Sequence, residues 1–84
     1  MILFETSTDD LADLVLQSDG TNYYLSWQVN SLNARAWSQR DLVKWALLVV
    51  NRPDDGWTST QVEVSRFVLG QFPAEVGLVA LENL

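Results

Sequence analysis

The sequence predicts an α+β domain, a small antiparallel β-hairpin or sheet followed by three α-helices. Three observations point there. Tyr23, Leu25, Trp27 and Val29 alternate with Tyr24, Ser26, Gln28 and Asn30, the period of two of a half-buried strand. Ser38-Gln39-Arg40-Asp41 and Thr58-Ser59-Thr60-Gln61 each place a hydroxyl three positions before a side chain able to reach back, the capping-box pattern of a helix start. Pro73 stands where the first turn of a last helix accepts proline, because the N–H it lacks would have no partner there. The 84 residues are read as a single small globular domain, 1–84. A mostly helical, winged-helix-like arrangement is the alternative.

The N-terminal segment admits two readings. Met1 to Phe4 is a candidate short strand. Ser7-Thr8-Asp9-Asp10 is an acidic cap ahead of Leu11, Leu14 and Val15, which predicts a short helix. In the competing reading, Leu14-Val15-Leu16-Gln17 is a strand that turns through Asp19-Gly20 into Tyr23–Val29. The cap chemistry favours the helix. Asn30-Ser31-Leu32-Asn33 reads as a turn, and Ala34 to Trp37 as the strand completing a hairpin.

A helix over 39–51 follows, with Leu42, Ala46 and Val49 on one face, Val43 and Val50 beside them, and Arg40 and Lys44 on the exposed side. Arg52-Pro53-Asp54-Asp55-Gly56 is a loop, since proline ends one element and glycine permits the reversal. From Thr58 a helix to about Leu69 places Val64, Phe67 and Val68 together, although Val62-Glu63-Val64-Ser65 also alternates like a strand. Gly70 is the expected C-cap. The last helix, from Pro73, carries Glu75 near its positive end and Val76, Ala80, Leu81 and Leu84 as its apolar face.

The chain has no cysteine and no histidine, and sets eleven acidic residues against five basic ones, for a net charge of -6. That composition removes the usual thiol nucleophile, the usual proton shuttle and the two commonest soft metal ligands. Serines and threonines lack a histidine base, and Lys44, the only lysine, reads as a solvated residue of a helix face. The carboxylate pairs Asp9-Asp10 and Asp54-Asp55 sit where helix capping and turn chemistry already explain them. The glycines are scattered, so no phosphate-cradling loop exists. The chain is therefore expected not to be an enzyme, with no catalytic, cofactor-binding or metal residue assigned and no cofactor. No apolar run approaches membrane-spanning length, and Met1–Glu5 lacks the basic start of a signal peptide, so a cytoplasmic location is expected.

Charge is unevenly distributed: -5 over residues 1–30, +3 over 31–52 and -4 over 53–84. An acidic surface repels polyphosphate at long range and suits a basic protein partner. Trp27 and Trp37 read as core or staple residues. Trp45 and Trp57 are candidate anchors, tryptophan being common at binding hot spots. The candidate partner-binding residues are Trp45, Asp54, Asp55, Trp57, Glu75, Leu78, Val79 and Glu82, with Leu78 and Val79 expected as an exposed apolar pair edged by carboxylates. Arg35, Arg40, Lys44 and Arg52 form the one basic patch, which either pairs with the acidic ends of the chain or docks an acidic partner or nucleic acid.

Residues 58–84, with a capped helix, a short turn and a second helix, resemble the core of a helix-turn-helix domain, for which 39–51 would be the first of three helices. The resemblance implies DNA reading by the helix from Pro73 to Leu84. That segment holds no Arg or Lys and two Glu, which puts such reading in doubt. The expectation is a small acidic protein-binding regulator, adaptor or inhibitor, one variant mimicking nucleic-acid phosphates as small phage or mobile-element accessory proteins do. Self-association is open, nucleic acid is disfavoured and no membrane is implied. The alternative is a helix-turn-helix-like nucleic-acid-binding regulator using the basic patch.

Overall fold

The computed structural model describes residues 1–6, 14–27 and 34–82. β1 (Ile2–Glu5), β2 (Leu14–Ser18), β3 (Tyr23–Trp27) and β4 (Ala36–Trp37) form a four-stranded antiparallel sheet in the order β1-β2-β3-β4. α1 (Gln39–Asn51), a 3-10 turn at Pro53–Asp55, α2 (Ser59–Gln71) and α3 (Pro73–Glu82) follow. The fold is α+β, with the sheet and three helices in the expected order and a sheet of more than one hairpin.

The helix favoured ahead of Asp19 is corrected where it reaches Leu14 and Val15. Leu14 to Ser18 is a strand, paired to β3 in the register Leu14↔Trp27, Leu16↔Leu25 and Ser18↔Tyr23, and to β1 on its other edge. The reason is burial. Leu14, Val15 and Leu16 are each at most 4% exposed, so side chains of both parities are covered. In this strand both faces are covered, whereas a surface helix buries one stripe, so the contiguous apolar triplet is accommodated by the strand. The proposed cap at 7–10 and Leu11 lie outside the described residues.

The β2–β3 reversal is built from local side-chain bonds. Asp19 Oδ1 accepts from the backbone N–H groups of Thr21 (2.9 Å) and Asn22 (2.8 Å), and Gly20 takes φ +96°, a region a Cβ disfavours. At the opposite end of the β1–β2 pair, Thr6 is fully buried. Its hydroxyl accepts from the Leu14 N–H at 2.9 Å, while its own N–H donates to the Leu14 carbonyl at 3.1 Å. Thr6 thus extends the pairing past the end of β1.

Tyr23 and Leu25 pack against the core as the alternation predicts, and Ser26, of the opposite parity, is also buried. β3 runs to Trp27, the last described residue before 34, and β4 starts at Ala36 rather than Ala34. Val29, the turn at 30–33, and the side-chain placement of Trp27 lie outside the described residues.

α1 matches its expected bounds. Ser38 caps it by accepting from the Asp41 N–H at 3.1 Å, and Leu42, Val43, Ala46 and Val49 are all fully buried. α2 is a helix and not a strand because its start is doubly secured. The Thr58 hydroxyl accepts from the Gln61 N–H, and the Gln61 side chain accepts from the Thr58 N–H. Val64 and Val68 then reach the core, and Phe67 stacks on Phe4 of β1 with ring centroids 4.5 Å apart.

Gly70 is not the C-cap: α2 runs on to Gln71, and Gly70 has no positive φ. Proline at 73 disfavours helical backbone at the residue before it, so the break falls on Phe72. Phe72 closes α2 by donating its N–H to the Val68 carbonyl, and opens α3 by accepting from the Val76 N–H. The two helices meet at 98° across this single residue. The angle suits a helix-turn-helix, but such motifs join their helices through three or four residues. The apolar face of α3 is rotated from the expected one. Val79 is 1% exposed and belongs to the core, with Val76 packed against it, while Ala80 and Leu81 face outward and Leu84 lies outside the described residues. Phe72 and Val76, at helical spacing ahead of Val79, direct that face toward α1 and α2.

Thr6→Val keeps the side-chain shape but leaves the buried Leu14 N–H without its hydroxyl acceptor, so it lowers stability by about 1–3 kcal/mol. Leu16→Ala removes a fully buried side chain and costs about 2–5 kcal/mol. Urea unfolding of each variant against wild type measures both.

Candidate functional site

α1 turns Leu42, Val43, Ala46 and Val49 inward, which leaves Asp41, Lys44 and Leu48 on its outer side and Trp45 at the boundary. β4 delivers Trp37 beside it. The two indoles lie 6.4 Å apart at 52°, and the Arg35 guanidinium sits 4.2 Å from the centre of the Trp37 ring, a cation–π contact. Arg35, Trp37, Asp41, Lys44, Trp45 and Leu48 line a shallow cleft of about 300 Å³. A second cleft of about 430 Å³ begins at the same Lys44 and Leu48 and continues along Asn51 to Arg52, with Val79 of α3 on its far wall. The two clefts share Lys44 and Leu48 as walls, one on either side of that exposed pair, and together they are called the α1 trough.

The trough gathers Trp45 from one expected set and Arg35, Lys44 and Arg52 from the other. Arg40 is withdrawn, because it forms an ion pair with Glu82 of α3. Both side chains of that pair remain more than two-fifths exposed, so it contributes little to stability. Among the described residues, Lys44 and Arg52 have no ion-pair partner.

The remaining expected partner-binding residues divide between two places, Asp54, Asp55 and Trp57 at the 3-10 turn and just after it, and Glu75, Leu78 and Glu82 on α3. Asp54 and Asp55 are exposed on the 3-10 turn, and Glu75 is half-buried. Trp57 is half-buried, with its indole Nε1 shielded from solvent and without an acceptor among the described residues. Leu78 is 54% exposed as expected, whereas Val79 is not part of an exposed pair. Leu81, assigned to the core by sequence, is 66% exposed and lies one turn from Leu78. Locating the α3 face from Val76 and Val79 rather than from Val76 and Ala80 would have found it.

A larger cleft escaped the sequence reading. It measures about 710 Å³ and lies between the start of β1, the β2–β3 turn and the end of α2, with Leu3, Tyr23, Phe67 and Phe72 as its apolar wall and Asp19 on its rim. The aromatic trio was the available signal. Asp19 is already committed: besides the two turn amides, its Oδ2 accepts from the Tyr24 hydroxyl at 2.8 Å. The Asn22 and Thr21 amides, and then the Tyr24 hydroxyl, hold its carboxyl below the usual carboxylate range. The same bond to Asp19 raises the Tyr24 phenol above its ordinary value. Among the described residues, no group of three or more His, Cys, Asp or Glu side chains is placed to hold a metal ion, and no single helix is long and apolar enough to cross a membrane.

Because the Asp19 pKa is depressed by folding, its stabilisation is present above the unfolded-chain value and is lost as pH falls through the folded one. For Tyr24, raised by folding, the contribution is present below the ordinary phenol value and is lost as pH rises through the folded one. Carbon-detected NMR titration should place the Asp19 midpoint below that of an unfolded peptide, and Tyr24→Phe should move it upward.

No family model matches the chain, and no curated protein and no solved structure matches it.

Proposed function

We propose that the chain is a non-enzymatic protein-binding module, a small acidic regulator, adaptor or inhibitor that docks on a larger protein in the cytoplasm. The observation that carries this reading is the pair Leu78 and Leu81, 54% and 66% exposed and one turn apart on α3. The inner face of that helix is already filled by Val79 and Val76, so the leucines add nothing to the core. An apolar strip beside Glu75, with Glu82 already paired to Arg40, on a small acidic chain suits a partner whose own surface is apolar and basic. Exposed Asp54 and Asp55 extend the acidic character and support the phosphate-mimicking variant of the same reading.

The nucleic-acid alternative draws on the Arg35, Lys44 and Arg52 trough, not on α3, which has no basic residue. Binding of that kind would weaken steeply with added salt.

Leu78→Asp and Leu81→Asp should each abolish capture of the partner from lysate while leaving the far-UV circular dichroism spectrum unchanged. Equal capture by both variants would remove α3 as the docking strip. Light scattering on wild type and variants reads self-association: if the leucines mediate it, both substitutions return the chain to monomer.

A further inference from the structure

We infer that the trough along α1, from Arg35 through Lys44 to Arg52, is a docking site for an acidic peptide segment carrying an apolar anchor. This rests on the reading of the chain as a binding module but not on its Leu78–Leu81 strip.

Charge is the first argument. The trough sets Arg35, Lys44 and Arg52 against the single carboxylate of Asp41, in a chain whose net charge is -6. A local positive field in an acidic molecule is selective: it attracts a short carboxylate-bearing segment and leaves the rest of the surface repelling acidic polymers.

Geometry is the second. The Arg35 guanidinium is held over the Trp37 ring at 4.2 Å. A guanidinium resting on an aromatic face keeps its N–H edge free for an in-plane partner, and the ring restricts its motion before any ligand arrives. That edge matches the two oxygens of a carboxylate. Lys44, one shared wall of both clefts, offers a second cation without an ion-pair partner among the described residues.

The cleft that holds Arg35 and Lys44 is also lined by apolar side chains. Trp45 is half-buried beside Trp37, and Leu48 is 42% exposed. An aliphatic or aromatic side chain of the incoming segment covers Leu48 while its acidic neighbours reach Arg35 and Lys44. Single-stranded nucleic acid fits less well. Base stacking needs open aromatic faces, and here Arg35 covers one face of Trp37 while Trp45 lies tilted against the ring. Asp41 within the trough and the overall charge oppose a phosphate chain further.

The test is fluorescence anisotropy of the intact chain with three fluorescein-labelled probes at low ionic strength. These are a short peptide of Asp and Glu around a central Leu-Leu, the same peptide with Lys replacing each acid, and an oligothymidylate of equal length. Wild type should bind the acidic peptide and bind the oligothymidylate more weakly, while any binding of the basic peptide should survive Arg35→Glu and Lys44→Glu and be lost in Leu78→Asp, because it falls on the α3 strip. Arg35→Glu and Lys44→Glu should each weaken the acidic peptide about tenfold or more, as loss of a charged hydrogen bond does. Arg66→Glu, the same charge change on α2 away from the trough, should leave binding unchanged. Trp45→Ala should also lose binding; if it unfolds, the two charge reversals decide alone.

The inference is overturned if the acidic peptide fails to bind wild type, if Arg66→Glu weakens it as much as the trough reversals do, or if the oligothymidylate binds more tightly. Failure here with partner capture still sensitive to Leu78→Asp removes the trough and leaves the module reading standing. The opposite pattern removes the α3 strip alone.

Discussion

The double burial of β2 organises this molecule. Leu14, Val15 and Leu16 are consecutive, and their side chains alternate across the sheet, so each face of the strand needs its own cover. Hydrogen bonding compounds the demand, since both edges must be paired. β1 and β3 satisfy the edges, while the core cluster holding Leu14 and Leu16 joins that strand to Leu42, Val43 and Ala46 of α1, Val64 and Val68 of α2, and Val79 of α3. Every helix therefore meets in a cluster that starts from this strand. Thr6, fully buried, shows how closely the arrangement is enforced: a side-chain hydroxyl completes pairing that the backbone of β1 leaves unfinished.

What could be read from the residues follows from which forces are local. Ser38 and Thr58 begin their helices through bonds within one turn, so the starts of α1 and α2 are visible as short patterns. The alternation from Tyr23 is visible for a similar reason, because a strand facing one core repeats every second residue. The strand at Leu14 was obscured by its contiguous apolar run, whose cover comes from elements distant in the chain. On α3 the apolar residues at 76, 78, 79, 80 and 81 nearly encircle the helix, so periodicity alone left its orientation undecided. Contacts made by Phe72 and Val76 decide it, and that exchanges the roles assigned to Val79 and Leu81.

The candidate site was legible in its ingredients but not in its assembly. Arg35, Lys44, Arg52 and Trp45 were all singled out, yet in separate groups. Their union depends on β4 placing Trp37 against the side of α1, a contact between neighbouring elements that no residue spacing encodes. Arg40 illustrates the converse. It shares the helix face of Lys44, but an acid on α3 reaches it, and the patch loses one member to intramolecular pairing. A basic cluster in an acidic chain is divided in this way between charges the fold neutralises and charges it leaves open.

The agreement between chain order and spatial order in the sheet bears on how the molecule assembles. Each strand pairs only with its immediate predecessor and successor, so loop closures within the sheet are short and their entropy cost is small. Chains of low contact order fold quickly. For a protein without disulfides, speed supplies a protection that covalent staples would otherwise give. The edges of the sticky run at Leu14–Leu16 are paired by strands close in the chain, which limits pairing between nascent chains even though the helices that cover its core face are made last.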